Sequence, residues 1–528
     1  VGRTFGGAIE CQQPADRESL GRIGLHALDA LRDAERELFS GSDPLLRILL
    51  QQVRDAGATP EEKADRDTEF RRLAAEIGTH MKDRINLAAL LGLVSDTGAL
   101  EGGTPQLADE VTEEDILSAL RLHVASGTLS LPAELNGLGY NNLIYISLIL
   151  ASLDHKAEPA RHGANAILFP MLCLEEPEAH LHPALQHRLL KHIEKRVSEG
   201  GKNRQIFLTT HSTHVTSASD LDRLVVFSSR EDGSMPRVAY PGRCFPTTDA
   251  GKNSKAYVER FLDATKSNLL FSKGVILVEG IAEQLLLPVL AELAGIPLER
   301  YHVALIPVGG VTFKHFLPLF GGGPDPDKTQ FAHTRPVACL VDADPSRRLR
   351  GSRDQFKSCY PYDLLDSTGF EVKEHSDVVK ALEKLATDRP NIAMFYGLKT
   401  LEYDLALANH TNEMLVTDVC AEADALRALF RDPACEAAAL GQALLRTREA
   451  TKNIADPVAR AAAVVATCYL DSLEKAKGAH ALALAKSIKE QLFKGTAPRL
   501  TIPSHLEAAI RFACRLSAVG PASPSRSC

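Results

Sequence analysis

Short apolar runs that end in polar residues alternate with amphipathic segments along most of the chain. The clearest runs are ILFPMLCLEE (167–176), RQIFLTTHS (204–212), DRLVVF (222–227), VILVE (275–279), VALIPV (303–308) and PVACLVDAD (336–344). Apolar strands of this length, separated by helices, are typical of a parallel sheet that is covered on both faces. The pattern therefore predicts an α/β protein in which the alternation of strands and helices is interrupted and then resumes.

Three segments depart from this alternation. Residues 16–121 are rich in charged residues with helical spacing, which predicts a helical arm or insertion. For this segment, a solvent-exposed helical bundle that serves only for dimerisation is favoured over a helical bundle that contacts substrate. Residues 231–268 are polar with several Gly and Pro, which predicts a linker. From about 375 the chain is predicted to be mostly helical, up to a disordered tail, PASPSRSC.

Composition narrows the classes of protein. The 528 residues exceed the roughly 250–300 that one core usually supports, so we expect several domains. The net charge of −8 and the sequence pI near 6.2 exclude a global basic field, so nucleic acid would be bound through local basic patches or bound cations. The ten cysteines contain no CxxC pair, which argues against a zinc ribbon or a disulfide scaffold and suits a reducing cytoplasm.

Targeting signals are absent from the sequence. No apolar stretch reaches the roughly 18 residues of a membrane span, and the first residues show no signal-peptide pattern. We therefore expect a cytoplasmic protein without a membrane partner. The chain begins with Val rather than Met, which indicates a fragment of a longer protein.

Acidic residues follow the apolar strands at positions that a metal site would use. Glu279 ends one strand, and Asp342 and Asp344 end another strand two strand–helix steps later. Because parallel strands present their carboxyl ends at one edge of a sheet, we expect these side chains in one crevice. Glu283 can join them from the first turn of the following helix. Two unit charges 4 Å apart repel by roughly 4 kcal/mol at an effective dielectric constant near 20.

A hard divalent cation offsets such repulsion, so Mg²⁺ or Mn²⁺ is the expected partner of this crevice. Such ions can activate water and clamp the attacking and leaving oxygens of a phosphodiester. A solvated strand end is the ordinary interpretation of any single acid here. The combination of VEGxxE with an apolar strand that ends in DAD favours a metal site.

Basic residues follow the DAD sequence directly. The segment SRRLRGSR (346–353) holds four arginines in eight residues, and Arg347, Arg348 and Arg350 are candidates for contact with DNA phosphates. A solvated charge run explains the same residues equally well. Lys314 is a further candidate for DNA contact near the crevice.

The strands VILVEGIAE and LVDADPS together resemble a Toprim domain, the metal site shared by topoisomerases, primases and certain nucleases. The resemblance assigns the three strand-end acids to the metal site. Glu283 and Glu402, the latter in TLEYD (400–404), resemble the nuclease branch. This implies two divalent ions, Mg²⁺ or Mn²⁺, with Ca²⁺ as an inactive substitute, and it places Glu402 beside the second ion.

A late lysine motif completes this resemblance. KGAHALALA (477–485) is similar to the lysine motif of the nuclease branch, which implies that Lys477 stabilises negative charge in the transition state. Members of the branch usually carry Phe where this chain has His480, so the motif departs from the family at that position.

A second set of motifs resembles the ABC class of ATPases. LCLEEPEAHLHP (172–183) resembles a Walker B strand. The resemblance implies that Glu175 holds the Mg²⁺ of a nucleotide through water and that Glu176 positions the attacking water. Most ABC enzymes carry Asp at the first of these places. THSTHV (210–215) resembles the switch loop, with His211 as the sensor of the γ-phosphate.

LNGLGYNN (135–142) resembles the ABC signature loop. This implies that Asn136, Gly137 and Gly139 meet the γ-phosphate across a dimer through backbone amides and a helix N-terminus. The histidines of the Walker B loop, at 180 and 182, fit better as structural parts of that loop than as a metal pair.

The phosphate-binding loop of such an ATPase, GxxxxGK[ST] after a strand, is missing from the sequence. The segment GGGPDPDKT (321–329) fails because Asp327 stands where the second Gly belongs. In ABC ATPases this loop precedes the motifs above, so we expect it upstream of Val1. ATP is expected as a cofactor when that segment is present, and we do not expect efficient hydrolysis by this chain alone.

An ABC-type ATPase lobe followed by a nuclease-like Toprim domain resembles the OLD (overcoming lysogenization defect) family over roughly residues 131–490. That family includes the large subunit of Gabija-type phage defence. The resemblance implies DNA nicking or cutting, a homodimer or higher homo-oligomer, a role in phage defence or DNA repair, and a helicase-like partner. The implied domains are an ATPase remnant with a helical arm or dimerisation insertion (1–130), the ABC ATPase lobe (131–265), the Toprim core (266–400) and a C-terminal helical part that completes the nuclease site (401–528).

A different class of function remains open. A non-cleaving, SMC-like ABC scaffold or sensor would bind nucleic acid and share the ATPase motifs. A topoisomerase or primase is disfavoured, because the sequence shows neither a strand-passage domain with a plausible nucleophilic Tyr nor a primase-type zinc module. Cleavage of DNA with Mg²⁺ or Mn²⁺ separates the two remaining hypotheses.

Overall fold

The computed structural model describes residues 5–6, 13–14, 20–30, 45–55, 57–85, 87–88, 91, 111–157, 167–199, 204–230, 233–323, 325–365, 368–473, 476–496 and 498–516. The chain divides into two units, Val1–Val215 and Thr216–Cys528. The predicted tail (521–528) lies outside the described residues. So do most of residues 1–10, for which the sequence predicts a short strand, and most of residues 29–39, which belong to the predicted helical arm.

The first unit contains a three-stranded parallel sheet with the order β3-β6-β7. Its strands and helices are, in chain order, β1 (Phe5–Gly6), β2 (Gln13–Pro14), β3 (Ile23–Leu28), α1 (Leu45–Val53), α2 (Pro60–Asp83), α3 (Glu113–Ala119), β4 (His123–Ser126), β5 (Leu129–Pro132), α4 (Leu138–Lys156), β6 (Phe169–Glu175), α5 (Pro183–Glu199), β7 (Gln205–Thr209) and the start of α6 (Thr213–Ala218). The pairs β1-β2 and β4-β5 are antiparallel. Leu172 and Leu174, which alternate along β6, are buried in one core with residues of α4 and α5.

The predicted helical segment 16–121 is confirmed in part. The helix α2 begins at a capping box, in which Thr59 accepts the Glu62 N–H at 3.3 Å and Glu62 accepts the Thr59 N–H at 2.8 Å. The prediction is wrong at β3, which pairs with β6 along its whole length. Only one residue of β3, Leu28, is buried, and Gly24 and His26 interrupt its apolar residues, so the strand lacks the continuous apolar run by which the other parallel strands were found.

The second unit contains a four-stranded parallel sheet with the order β11-β10-β12-β16. Its strands and helices are β8 (Val226–Ser228), β9 (Arg237–Ala239), α7 (Asp249–Phe261), β10 (Gly274–Val278), α8 (Ile281–Leu293), β11 (Val303–Pro307), α9 (Pro326–Thr329), β12 (Val337–Leu340), β13 (Ser346–Leu349), β14 (Lys357–Ser358), β15 (Phe370–Lys373), α10 (Asp377–Ala386), β16 (Ile392–Phe395), α11 (Leu401–Ala408), α12 (Ala423–Arg431), α13 (Gly441–Ala450), α14 (Pro457–Ser472), α15 (Lys477–Phe493) and α16 (Ser504–Ala513). A second, antiparallel sheet has the order β14-β13-β15, and β8 pairs with β9.

Both faces of the parallel sheet are covered. On β10, Ile276 and Val278 belong to one core, which includes residues of α8, α11, α14, α15 and α16, whereas Val275 and Leu277 belong to another. Successive side chains of a strand point to opposite faces, so one fully apolar strand contributes to both cores. Burying each such side chain contributes roughly 1.5–3 kcal/mol to stability. This packing fixes the sheet edge at which the acidic residues lie.

Two sequence predictions are wrong in the second unit. Residues 231–268 are not a linker, because they contain β9 and α7 and bury Val258 and Leu262, which are spaced for one face of a helix. The run 222–227 leads into β8, which pairs antiparallel with β9 rather than extending a parallel sheet. The segment after 375 is mostly helical, as predicted, and it also contributes β16, an edge strand of the parallel sheet. Nowhere in the described ranges is a helix both long and apolar enough to cross a membrane.

Candidate metal centre

The ends of two neighbouring strands bring the first two acids together. Glu279 directly follows β10, and Asp342 lies two residues beyond β12, which pairs in parallel with β10. The Asp342 N–H donates to Oε1 of Glu279 at 3.0 Å. Asp344 is exposed and has a φ of +44°, a left-handed conformation that turns the chain sharply after the strand. The strand order alone therefore assembles these three acids at one sheet edge.

Glu283 joins this edge from the first turn of α8. It is 9% exposed, and its Oε2 accepts the Gly280 N–H at 3.1 Å. A carboxylate at a helix N-terminus is stabilised by the unpaired N–H groups and by the helix dipole. That interaction holds the side chain beside the strand ends.

Two further residues reach the site from elements that are distant in sequence. Glu402 is the second residue of α11, which follows the edge strand β16, and it is 4% exposed. Its Oε2 accepts the Thr400 hydroxyl at 2.9 Å and Nζ of Lys477 at 2.9 Å. Lys477 is the first residue of α15. The packing of α11 and α15 in the same core thus joins two motifs that lie 75 residues apart.

The charges of these residues act on one another. Burial raises the pKa of Asp342 well above its usual range, and the charges of Glu279, Glu283 and Glu402 raise it further. Burial also raises the pKa of Glu279 and that of Glu283. Burial lowers the pKa of Lys477, but the surrounding carboxylates outweigh it and the pKa is raised. The site therefore carries negative charge that one lysine does not neutralise.

The donor set suits a hard divalent cation. Glu279, Glu283, Asp342, Asp344 and Glu402 offer only carboxylate oxygens, which are the ligands that Mg²⁺ and Mn²⁺ prefer. A carboxylate offers about four acceptor positions, so each of the hydrogen-bonded glutamates keeps capacity for a cation. Within the described part of the chain, no three His, Cys, Asp or Glu side chains converge as they stand on one metal position. These residues therefore suit a hard divalent cation, and binding requires the carboxylates to turn toward that cation.

Sequence reasoning missed two residues that support the DAD turn. The Asp404 carboxylate accepts the N–H groups of Leu398 at 2.9 Å and of Lys399 at 3.4 Å, and burial raises its pKa to about 7. The Lys399 carbonyl oxygen in turn accepts the Ala343 N–H at 2.9 Å. A Cβ on Gly397 would lie 1.9 Å from Oδ2 of Asp404, so this loop needs glycine there. No residue pattern marks such main-chain contacts in advance.

The Lys399 side chain also ties the neighbouring antiparallel sheet to this loop. It is 7% exposed, and its Nζ donates to the Cys359 carbonyl oxygen at 2.9 Å and to the Ser358 hydroxyl at 3.2 Å. Burial lowers the pKa of Lys399, and the charge of Asp344 opposes this shift. A second ammonium group, in this case a buried one, therefore lies within the electrostatic reach of the acidic site.

The predicted DNA-contact residues fall into two groups. Arg347 pairs with Asp363 at 3.1 Å, and Arg348 pairs with Glu371 at 2.7 Å, both within or beside the antiparallel sheet. Arg350 and Lys314 are exposed. The first two side chains would have to leave an internal partner to bind a phosphate, whereas Arg350 and Lys314 are accessible.

His480, where this chain departs from the family, is 1% exposed in the core beneath Lys477. Its Nδ1 lies 2.8 Å from the Thr417 hydroxyl and its Nε2 bonds to the Tyr469 hydroxyl. Burial lowers the pKa of His480 to about 4. A hydrogen-bonded neutral imidazole thus fills this core position, and Lys477 still meets Glu402.

The ATPase motifs of the first unit come together at the ends of β6 and β7. Glu175 is the last residue of β6, and Glu176 follows with a φ of +39°. Nε2 of His211 lies 3.5 Å from Oε1 of Glu176. Glu178, which sequence reasoning missed, accepts the N–H groups of His211 at 3.1 Å and of Ser212 at 3.3 Å. The Walker B loop therefore holds the switch loop through direct contacts.

The signature loop lies at the start of α4. Gly137 is the N-cap residue of that helix, and the Asn136 N–H donates to the Ala133 carbonyl oxygen at 3.0 Å. A Cβ on Gly139 would lie 2.4 Å from the His180 carbonyl oxygen, so glycine permits the close approach of α4 to the Walker B loop. His182 accepts the Ala184 N–H at 3.3 Å through Nδ1, at the start of α5. The latter contact agrees with a structural role for His182.

Two family models match the chain, one in the region of each set of motifs. An AAA ATPase domain matches residues 45–216, and the model described as Overcoming lysogenization defect protein-like, TOPRIM domain, matches residues 270–344. The fold and these matches define the class of protein, an α/β protein in which an ATPase domain precedes a Toprim domain. This confirms the predicted fold class.

Known proteins are similar to the chain over part of its length. Endonuclease GajA of Bacillus cereus (strain HuB5-5) is 20% identical over 338 residues, which cover 58% of this chain and 47% of that protein. The chain therefore spans about half the length of this curated relative. With an ATPase domain followed by an OLD-like Toprim domain, the chain is similar to proteins of the OLD family, as its motifs predict.

Solved structures of OLD proteins also match. The C-terminal region of the Burkholderia pseudomallei OLD protein is 21% identical and covers 46% of this chain and 98% of that chain, with a TM-score of 0.26. The C-terminal region of the Xanthomonas campestris pv. campestris OLD protein is 23% identical and covers 47% and 95% respectively, with a TM-score of 0.25. TM-scores this low carry no conclusion about this chain.

Proposed function

We propose that this protein is a metal-dependent DNA endonuclease whose cleavage is regulated by its ATPase domain. One observation carries the proposal. Carboxylates from two adjacent strand ends and two helices meet at one sheet edge, and Lys477 donates to one of them. Burial, together with the charges of the neighbouring glutamates, raises the pKa of Asp342, which supports a site that is completed by cations.

The residues take the following roles in this proposal. Glu279, Asp342 and Asp344 would hold one Mg²⁺ or Mn²⁺ ion, and Glu283 and Glu402 would hold the second. When bound, such ions supply an activated water and stabilise charge on the attacking and leaving oxygens of a phosphodiester. Lys477 adds a positive charge for the transition state, because its ammonium already lies within the acidic cluster.

DNA is the proposed substrate. The relative from Bacillus cereus is named an endonuclease, which supports phosphodiester cleavage. With a net charge of −8, the chain needs local positive charge near the site to hold DNA. Arg350 and Lys314 are exposed and would contact phosphates directly, whereas Arg347 and Arg348 would first exchange their internal partners.

The ATPase domain is the proposed regulator. Glu175 and Glu176 would hold the Mg²⁺ of ATP and position water, and His211 would sense the γ-phosphate. The contact of 3.5 Å between His211 and Glu176 supports these roles. The signature loop (135–142) would act across a homodimer. A helicase-like partner and a role in phage defence or DNA repair belong to the same proposal.

Nicking of supercoiled plasmid tests the proposal. We expect the purified chain to produce nicked circles with Mg²⁺ or Mn²⁺, and to produce none with EDTA or after Asp342→Ala. Asp424→Ala is a matched control, since Asp424 is 99% exposed on α12 and should leave nicking unchanged. Nicking by Asp342→Ala at the parental rate would refute the site assignment. DNA binding without cleavage under either ion would favour a scaffold instead.

A further inference from the structure

Among the carboxylates of the candidate metal site, Glu402 forms an ion pair, with Lys477. Its Oε2 accepts both the Thr400 hydroxyl and the Lys477 ammonium, each at 2.9 Å. A carboxylate oxygen has two lone pairs, so these donors saturate Oε2. A cation that coordinates this oxygen must therefore displace one of them.

The other two glutamates of the site are held differently. The donor to Glu279 is the backbone N–H of Asp342, and a donor to Glu283 is the backbone N–H of Gly280. Neutral donors orient a carboxylate without cancelling its charge, whereas an ammonium group does both. Glu402 is thus the acid whose charge is already compensated by the protein.

The position of Lys477 makes this compensation reversible. Lys477 is the first residue of α15, where the positive end of the helix dipole disfavours another positive charge. Its side chain is 39% exposed, whereas that of Glu402 is 5% exposed. Four methylene groups link the ammonium to the helix, so it can turn to a solvent-side anion while Glu402 stays in place. A phosphate at the site would be such an anion.

We propose that Lys477 is an internal counter-ion that pairs with Glu402 until a substrate phosphate attracts it, so that the second cation binds tightly only in the presence of substrate. This inference rests on the proposed function, because it concerns the same site. Lys477 leaves Glu402 and pairs with the phosphate, and Glu402 becomes available as a ligand. The complete site then forms in the complex with DNA, because the free protein would hold only one cation tightly, at Glu279, Asp342 and Asp344.

Titration with Mn²⁺ alone, followed by electron paramagnetic resonance of the free ion, tests the proposal without any cleavage. The parental protein should bind one Mn²⁺ well and a second one poorly. Lys477→Met should tighten the second binding event at least about tenfold, since it removes a competing charge within contact distance of Glu402. Lys486→Met is the matched control, because Lys486 lies on the same helix, pairs with Glu490 at 3.9 Å and is 77% exposed. It should leave both events unchanged.

Two more variants of Lys477, and a titration with DNA present, distinguish the charge of the lysine from its hydrogen bond. Lys477→Gln can still donate to Glu402 without a charge and should tighten the second event, whereas Lys477→Arg should keep it weak. Adding a short DNA duplex at a temperature too low for cleavage should tighten the second event in the parental protein but hardly in Lys477→Met. Folded Lys477→Met and Lys477→Gln variants with an unchanged or weaker second event would overturn the proposal. So would a tightened event in Lys477→Arg.

This readout separates the inference from the proposed function. A protein that never nicks DNA, but whose Lys477→Met variant binds the second Mn²⁺ more tightly, would refute the nuclease and retain the counter-ion. A protein that nicks DNA, but whose Mn²⁺ binding is insensitive to Lys477, would do the reverse.

Discussion

Replacing His480 with Phe, the residue usual in the family, tests the packing of the helix that carries Lys477. His480 is 1% exposed and bonds to the hydroxyl groups of Thr417 and Tyr469. Phe can form neither bond, which leaves the buried Tyr469 hydroxyl with a long bond of 3.5 Å to the Leu415 carbonyl oxygen and the half-buried Thr417 hydroxyl with a 3.9 Å contact to the Cys420 sulfur. Each unsatisfied buried group costs roughly 1–3 kcal/mol. At pH 7 we expect His480→Phe to lower the free energy of unfolding by roughly 2–4 kcal/mol.

The size of this loss depends on pH, and its sign follows from the pKa of His480. Burial lowers that pKa from 6.5 to about 4 in the folded protein. The unfolded chain takes up a proton below pH 6.5, whereas the folded protein keeps the imidazole neutral down to about pH 4. This residue therefore makes the parental protein less stable as the pH falls through that window. At pH 5 the loss is about 2 kcal/mol.

Urea unfolding followed by circular dichroism at pH 7 and pH 5 measures both effects. Phe does not titrate, so the destabilisation caused by His480→Phe should shrink by about 2 kcal/mol at pH 5. His480→Gln is the matched variant, because it keeps hydrogen-bonding groups and does not titrate either. It should lose less stability at pH 7 and show the same change with pH. If both variants differ from the parent by the same amount at the two pH values, His480 is not a buried neutral imidazole.

Three further predictions concern the packing and charge of the two units. Gly139→Ala should lower the free energy of unfolding of the first unit by roughly 1–3 kcal/mol, because the new Cβ meets the His180 carbonyl oxygen; an unchanged urea midpoint would refute this close approach. Glu178→Gln should speed amide hydrogen exchange at His211 by roughly tenfold, since it weakens the bond at that N–H; equal exchange rates would show that Glu178 does not hold the switch loop. Asp342→Asn should raise the Tm in EDTA by roughly 2–4 °C, because it removes a buried charge that its neighbours repel; a lower Tm in scanning fluorimetry would contradict this.

The proximity of Glu279 and Asp342 could be predicted from the sequence, because it depends only on where two apolar strands end. Each acid ends a fully apolar run, and the carboxyl ends of parallel strands share one edge. The meeting of Glu402 and Lys477 has no such local rule, since it depends on how α11 and α15 pack 75 residues apart. The prediction that these two residues belong to one site therefore depended on the resemblance to the nuclease branch.

Other features could not be predicted, for a different physical reason. Asp404 and Glu178 act by accepting backbone N–H groups, and such contacts leave no spacing in the sequence. In the half-exposed strand β3, Gly24 and His26 interrupt the apolar residues, so its sequence does not resemble a buried parallel strand. In 231–268, the polar majority obscured the two apolar residues by which α7 packs into the core. In each case the tertiary context, rather than the local pattern, determines the structure.

The initial rate of plasmid nicking by Asp342→Asn, measured against the parental protein over a range of Mn²⁺ concentrations, tests the central claim most directly. Asn keeps the shape of Asp and removes its charge, so the fold should persist while the cation site is weakened. We expect the rate to fall at least about 100-fold at every concentration, because Asp342 is a proposed ligand of the ion that activates the attacking water. Nicking by Asp342→Asn at the parental rate would contradict a metal-dependent nuclease built on this sheet edge.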